Sequence, residues 1–276
     1  MTPNRRPPLE SRILYRSENY LVVNKAPGEG VEGVRQGMVN LPLSLEELFP
    51  QKNGGFPITA VNRLDAPVSG CALFACNREA LRAANAQFRS GTVEKRYMAV
   101  VEMPDSDTAL PGGGEMRELV HWIQEDAGRN KSTAFTEEEP GRKKAILRFR
   151  VSGRGERYLF LEIELITGRR HQIRAQLAAL GLHIKGDLKY GAKRSEKNGG
   201  IRLHAVSLAF QEGNPGSRHD PAALPGTITP DGGVTLVRGG KVRVSAMPPL
   251  PDRLWEACME SKHEQNMACA LTYTDV

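Results

Sequence analysis

Tyr158 to Ile166 is the segment that most restricts what this chain can become, because Leu159, Leu161, Ile163 and Leu165 line one face while Glu162 and Glu164 lie on the other. A period of two sends neighbouring side chains to opposite sides, so the segment reads as a strand with an apolar and a polar face. Ala145 to Val151 is also strand-like, and Arg154-Gly155 between the two suggests a hairpin turn. Towards the N-terminus, Ile13-Leu14-Tyr15 and Tyr20 to Asn24 flank the polar turn Ser17-Glu18-Asn19. Lys95 to Val101 and Ile201 to Phe210 read as strands, and Val234 to Val237 with Val242 to Ser245 suggests a hairpin around Gly239-Gly240.

Helical periodicity is confined to a few places. Ser44 to Phe49 is a short candidate, with Ser44 as cap and Glu47 three positions on, as in a capping box. Asn77 to Ser90 places Ala80, Leu81, Ala84 and Phe88 on one face, with Asn77 as N-cap and Gly91 closing the helix. A third helix opens at Thr167-Gly168-Arg169-Arg170-His171-Gln172-Ile173-Arg174, carries the stripe Ile173, Leu177 and Leu180, and ends at Gly181. Four basic or donor side chains at a helix start form a ready anion site. Residues 102–144 read as a surface excursion in which Val120 to Ile123 is a short ordered piece. Pro111-Gly112-Gly113-Gly114 is a spacer and not a phosphate cradle, since no Gly-Lys-Ser/Thr follows it. Residues 211–233 form a Gly/Pro-rich loop, and a helical tail follows from Pro251.

Composition bounds the class. With 276 residues, 39% hydrophobic and 25% charged, the chain is ordinary globular material, long enough for one large domain or two small ones. No apolar run approaches the roughly 20 residues of a membrane span, and Met1 to Arg12 lacks the apolar centre of a signal peptide. A cytoplasmic protein is expected. The net charge of +6 permits attraction to phosphate polymers without establishing it. Cys71, Cys76, Cys258 and Cys269 show no zinc-site spacing and read as buried or free thiols in a reducing compartment.

One polar stretch stands apart. Val61-Asn62-Arg63-Leu64-Asp65-Ala66-Pro67-Val68-Ser69-Gly70 is punctuated by Pro67 and turned by Ser69-Gly70 before the apolar segment Cys71 to Cys76. Such a loop can hold the Asp65 carboxylate at a strand edge. On local chemistry alone, Asp65 is equally a turn residue bonding nearby amides.

The stretch resembles the His-Arg-Leu-Asp-x-x-Thr-Ser-Gly signature of the RluA family of RNA pseudouridine synthases. Arg63, Leu64, Asp65, Ser69 and Gly70 match, while Asn62 replaces the His and Val68 the Thr. Lys25-Ala26-Pro27-Gly28 is similar to the family's Lys-Pro-x-Gly opening with the Pro displaced by one position, although a strand ending at a Pro-Gly turn also accounts for it. Lys95 to Val101 fits Lys-x-Tyr-x-Ala-x-Val, and Thr167 to Arg174 meets Thr-Gly-Arg-x-His-Gln-Ile-Arg at every fixed position. Gly181, Ile184, Gly186-Asp187 and Tyr190-Gly191 continue that pattern, and Arg202-Leu203-His204-Ala205 fits the closing strand. The resemblance covers roughly residues 13–210, with no S4-like RNA-binding module before it.

It implies an α+β pseudouridine synthase fold, a mixed and largely antiparallel sheet with flanking helices and a central catalytic cleft. A polar arm (1–12), a single catalytic domain (13–250, including the extension 211–250) and a helical tail (251–276) follow from it. The implied reaction isomerises uridine to pseudouridine in structured RNA, rRNA or tRNA, without cofactor or metal. Asp65 would be the catalytic carboxylate, as nucleophile or base. Tyr97 would stack on the target uracil and help move a proton, and Arg174 would pair with Asp65. Arg63 would fill the space vacated by the flipped nucleotide. Arg169, His171, Gln172 and Lys193 would meet RNA, with a structural hydrogen bond an equal reading for His171. The implied partner is RNA, with no membrane and no obligate protein partner, and the chain would be a monomer. Two other readings stay open: an RNA-binding protein of the same fold without catalysis, and a carboxylate glycosidase, for which no second acid is placed in the matched motifs.

Overall fold

The computed structural model describes residues 6–32, 37–50, 55–104, 110, 114–213, 232–237, 240–249 and 251–260. The first five residues of the N-terminal arm, Pro111 to Gly113, most of the 211–233 loop, Gly239, Cys269 and the tail past residue 260 lie outside them.

In chain order the elements are β1 (Ile13–Arg16), β2 (Tyr20–Lys25), β3 (Glu29–Gly30), β4 (Val39–Asn40), α1 (Leu41–Leu48), β5 (Thr59–Ala60), β6 (Ser69–Ala75) and α2 (Arg78–Ser90). There follow β7 (Glu94–Glu102), β8 (Arg117–Asp126), β9 (Lys131–Phe135), β10 (Lys143–Arg154), β11 (Tyr158–Leu165) and α3 (Gln172–Ala179). The last are β12 (Leu203–Gln211), β13 (Gly232–Val237) and β14 (Lys241–Ala246), with a helix over residues 253–260. This is the α+β class with a mixed sheet. Among the described pairings only β6–β12 and the short β3–β4 run parallel.

Two compact units form, one from residues 1–95, 198–200 and 204–250, the other from 96–197, 201–203 and 251–276. In the first, β6 is the central strand and all seven of its residues are buried. β2 runs antiparallel along one of its edges, from Tyr20 opposite Ala75 to Lys25 opposite Gly70. β5 pairs with its C-terminal end and β12 with its N-terminal end. β12 then pairs with β14, and β14 with β13 as the expected hairpin. A strand buried on both faces reads as a continuous apolar run, which explains why Cys71 to Ala75 shows no alternation. Each large side chain removed from water there contributes about 1.5–3 kcal/mol.

α2 forms where its sequence signals it. Asn77 Oδ1 accepts from Ala80 N at 2.8 Å, and Gly91 takes the left-handed conformation at φ 72°, its N–H returning to the last turn. α1 differs from its sequence expectation. It starts earlier, capped by Asn40 with Pro42 in its first turn, because Pro fits where no N–H is needed. Ser44 lies inside it and its hydroxyl donates to Asn40 O at 3.1 Å, so it caps nothing.

In the second unit the strand order is β7-β11-β10-β8-β9, antiparallel throughout. The stretch 102–144, expected as a surface excursion, instead contains a complete β-hairpin. β8 and β9 pair from Trp122 opposite Phe135 to Asp126 opposite Lys131, around a turn in which Asn130 has φ 48°. Leu119, His121 and Ile123 are the buried positions of β8. The alternation was present, but a His in the middle and charged residues at both ends obscured it. α3 also begins later than expected, at Gln172, because His171 before it adopts a left-handed conformation (φ 52°) that no helix continues through. Thr167 to Arg170 therefore form a turn, and the helix N-terminus does not carry four donors.

Candidate active site

The loop of Asp65 belongs to the first unit and is held from several directions. Asp65 is half-buried between two buried residues, Leu64 before it and Val68 beyond. Val68 N donates to Asp65 O at 2.9 Å, closing a tight turn around Pro67. Beneath this turn sits Lys25, fully buried at the end of β2. Its ammonium donates to Val68 O at 2.6 Å, Ala66 O at 3.0 Å and Ala26 O at 3.1 Å, which uses all three protons. Gly28 N supplies a second donor to Ala66 O, at 2.8 Å.

Burial pushes the Lys25 amine down from 10.5 to about 7, against the pull of the Glu29 and Asp65 carboxylates. Glu29 is buried with Arg12 in a two-pronged pair of 2.8 and 2.9 Å and also accepts from Ala26 N. In the sequence Lys25 was a matched position of the family's opening that the end of a strand at a Pro-Gly turn explained equally well, and no role in holding the Asp65 loop was read for it. Its sequence signal was the lone cation closing an otherwise apolar run, Leu21 to Val23.

The exit of the loop is fixed as firmly. Ser69 Oγ lies 2.9 Å from His204 Nδ1, and His204 Nε2 lies 3.0 Å from Ala246 O. A carbonyl can only accept, so Nε2 carries the proton and Nδ1 accepts from Ser69. Full burial pushes His204 down from 6.5 to about 4, which keeps it neutral. Gly70 has φ 113°, and a Cβ there would stand 2.3 Å from Ala205 O and 2.6 Å from Ala205 N. Only glycine admits this strand contact. At the entry, Asn62 is buried and bonded to β6 through its side chain. Arg63, next to it, is exposed and meets Glu32 at 3.4 Å.

The other expected residues belong to the second unit. Tyr97 lies in β7, opposite Ile163 of β11, and is 7% exposed. Arg174 is buried in α3 and forms a two-pronged pair with Asp187, Nε to Oδ2 at 2.7 Å and Nη2 to Oδ1 at 2.8 Å. Its guanidinium lies 4.8 Å from the centre of the Tyr190 ring. The Tyr190 hydroxyl meets Ser132 N at 2.8 Å, Ser132 O at 3.0 Å and His171 Nδ1 at 3.0 Å. Asp187 and Tyr190 were legible only as matched pattern positions, and their place around Arg174 was missed.

Gln172 is 3% exposed and its amide is engaged at both ends: Oε1 accepts from Thr167 Oγ1 and Arg169 N, and Nε2 donates to Ile146 O. It shapes the turn before α3. Arg169 is exposed, its Nε on Lys144 O at 3.0 Å. Arg170 bonds Asn130, and Lys189 donates to Asn130 O. Lys193 is exposed, its backbone N–H on Glu102. Among the described residues no group of three or more His, Cys, Asp or Glu side chains could hold a metal, and no helix is long and apolar enough to cross a membrane.

Residues 19–179 match the family model described as RNA pseudouridylate synthase. The chain is 30% identical over 209 residues to a ribosomal large subunit pseudouridine synthase C of Vibrio parahaemolyticus, spanning 74% of this chain and 62% of that protein. It is 30% identical over 211 residues to an uncharacterised RNA pseudouridine synthase of Zymomonas mobilis, covering 73% of this chain and 88% of the relative. Among solved structures, human RNA pseudouridylate synthase domain containing 1 superposes with a TM-score of 0.57 at 25% identity, over 76% of this chain and 81% of that one.

Proposed function

The chain belongs to the RNA pseudouridylate synthase family, of the RluA type, and from that premise we propose that it isomerises uridine to pseudouridine in structured RNA, with Asp65 as the reacting carboxylate. The observation that carries the reading is the way Asp65 is presented: a half-buried carboxylate on a turn whose carbonyls are gripped by the buried Lys25.

The chemistry explains why such rigidity is useful. The bond from ribose C1′ to uracil N1 breaks, the freed base turns, and C5 joins C1′; C5 gives up a proton and N1 gains one, so nothing enters or leaves overall. The base must be retained while it is detached. A carboxylate fixed beside the sugar serves as nucleophile or base at the first step. Holding it in one place avoids ordering it during the reaction, where misplacement by about 1 Å can cost on the order of 100-fold.

In this reading Tyr97 and Arg174 act with Asp65 on the same nucleotide, the phenol ring stacking on uracil and the guanidinium companion to the carboxylate. The target leaves its stack to be reached, and Arg63, long and exposed, props the vacated space. Exposed Arg169 and Lys193 contact phosphates without reading sequence, whereas His171 and Gln172 act by shaping the turn before α3. Residues 13–250 work as one catalytic domain, with no cofactor. The substrate is rRNA or tRNA, and the name of the Vibrio relative favours large-subunit rRNA.

The deciding experiment pairs Asp65→Asn with a map of pseudouridine in rRNA and tRNA from cells with and without the gene. One or more sites should vanish without it, and the purified variant should bind that RNA within about threefold of wild type while forming no product. RNA binding by the wild type with no site lost would favour a non-catalytic RNA-binding protein.

A further inference from the structure

β6 has one edge that no single strand covers. Thr59 and Ala60 of β5 pair with Ala75 and Phe74, and β12 pairs with Ser69 and Gly70. Between these, Val61 N still donates to Leu73 O at 2.8 Å, after which the main chain leaves the sheet towards Arg63 and Asp65. Two groups on that edge, the Leu73 amide and the Cys71 carbonyl, are taken by one side chain. Asn62 Oδ1 accepts from Leu73 N at 2.6 Å, and Asn62 Nδ2 donates to Cys71 O at 3.2 Å.

A carboxamide offers a carbonyl acceptor beside an N–H donor, as successive peptide groups do, so Asn62 continues the ladder after the backbone has departed. Without it, a buried N–H and a buried carbonyl in the central strand would lose their partners, a penalty the fold would relieve by drawing the loop back onto the edge. We infer that Asn62 is a positioning residue: its side chain substitutes for main chain along β6 and thereby fixes where the Asp65 loop leaves the sheet. This is the position at which the sequence departs from the family's His, and the departure is functional in its own right. The consequence for chemistry rests on the reading of Asp65 above; the ladder itself does not.

Two variants and two readouts separate these parts. Asn62→Leu keeps the volume and removes both bonds. Asn62→His offers an acceptor nitrogen and an N–H as well, but on a rigid ring whose two nitrogens point in diverging directions, so that it meets one of the two groups and not both. The readouts are hydrogen exchange at the Leu73 amide, with Leu21 as internal reference, and the single-turnover rate of pseudouridine formation beside RNA affinity. Asn62→Leu should speed Leu73 exchange and slow the single-turnover rate by at least about tenfold each, with RNA affinity within about threefold, and Asn62→His should lie between it and wild type.

A leucine variant within twofold of the wild-type rate, or one whose lost rate is matched by lost RNA affinity, overturns the inference, as does unchanged Leu73 exchange. Should Asn62→Leu fail to fold, the histidine variant decides. Rate and protection moving together support the inference; protection lost at unchanged rate defeats it. If the wild type makes no pseudouridine, the reading of Asp65 fails, and Leu73 exchange still judges the ladder.

Discussion

The Lys25 ammonium donates to the Val68 carbonyl at 2.6 Å, joining the end of β2 to the far side of the Asp65 turn. The same group holds the Ala66 carbonyl at 3.0 Å. A buried cation solvated by main-chain carbonyls is therefore the floor of the loop, and its protonation is linked to folding.

Burial lowers Lys25 from 10.5 to about 7. Between those values the unfolded chain keeps the proton that the folded one has released, so Lys25 makes stability rise with pH across that window, by up to ~1.4 kcal/mol per unit. Urea unfolding of wild type and Lys25→Met between pH 7 and 10 checks this. The wild type should gain on the variant as pH increases, and parallel profiles would refute the linkage.

His204 titrates in the opposite range. It is held neutral down to about 4, so between 6.5 and 4 the unfolded state binds the extra proton and stability falls as the solution is acidified, by up to ~1.4 kcal/mol per unit. Thermal melts of His204→Gln should begin lower at pH 7 but fall less between pH 6.5 and 4.5. Equal losses in both proteins would show that His204 is not the acid-sensitive group.

Asp187 and Arg174 are buried together, at 2% and 5% side-chain exposure. Asp187→Leu breaks a buried two-pronged ion pair and should cost about 3–5 kcal/mol, whereas Asp187→Leu combined with Arg174→Met should cost clearly less than the sum of the two single changes. Denaturant unfolding of all three variants measures the coupling, and strict additivity would rule the pair out as a unit.

Gly70 has no room for a methyl group and a backbone angle that disfavours one. Gly70→Ala should destabilise by ~3 kcal/mol or more, with amide exchange rising first around Ser69 and Ala205. A variant as stable as wild type would mean that β6 and β12 separate cheaply.

Much of this architecture was legible because it depends on local signals. Alternation marked β11, and Asn77 and Gly91 bounded α2, since capping and period act within a few residues. β8 and β9 were hidden because His121 fills an inward position and charged residues crowd their ends. The site divided in the same way. Resemblance pointed to Asp65, Tyr97 and Arg174, but not to what holds them. Lys25, Asn62 and Asp187 reach partners as far as 43, 11 and 13 positions away, and no residue type on its own declares such a partner. The start of α3 was misjudged for a related reason: a left-handed His171 is a compromise with its surroundings, and nothing in its neighbours' propensities requires it.

The first unit is assembled mainly from two stretches of the chain, 1–95 and 204–250, with about a hundred residues between them, and this sets an order of events during synthesis. Lys25 and Asn62 can grip the loop once the ribosome has delivered β6, but Ser69 waits for His204, 135 positions later, and His204 in turn waits for Ala246. A nascent protein halted before β14 thus carries Asp65 on a half-fastened loop, and the loop is fully fastened only once β14 has been made.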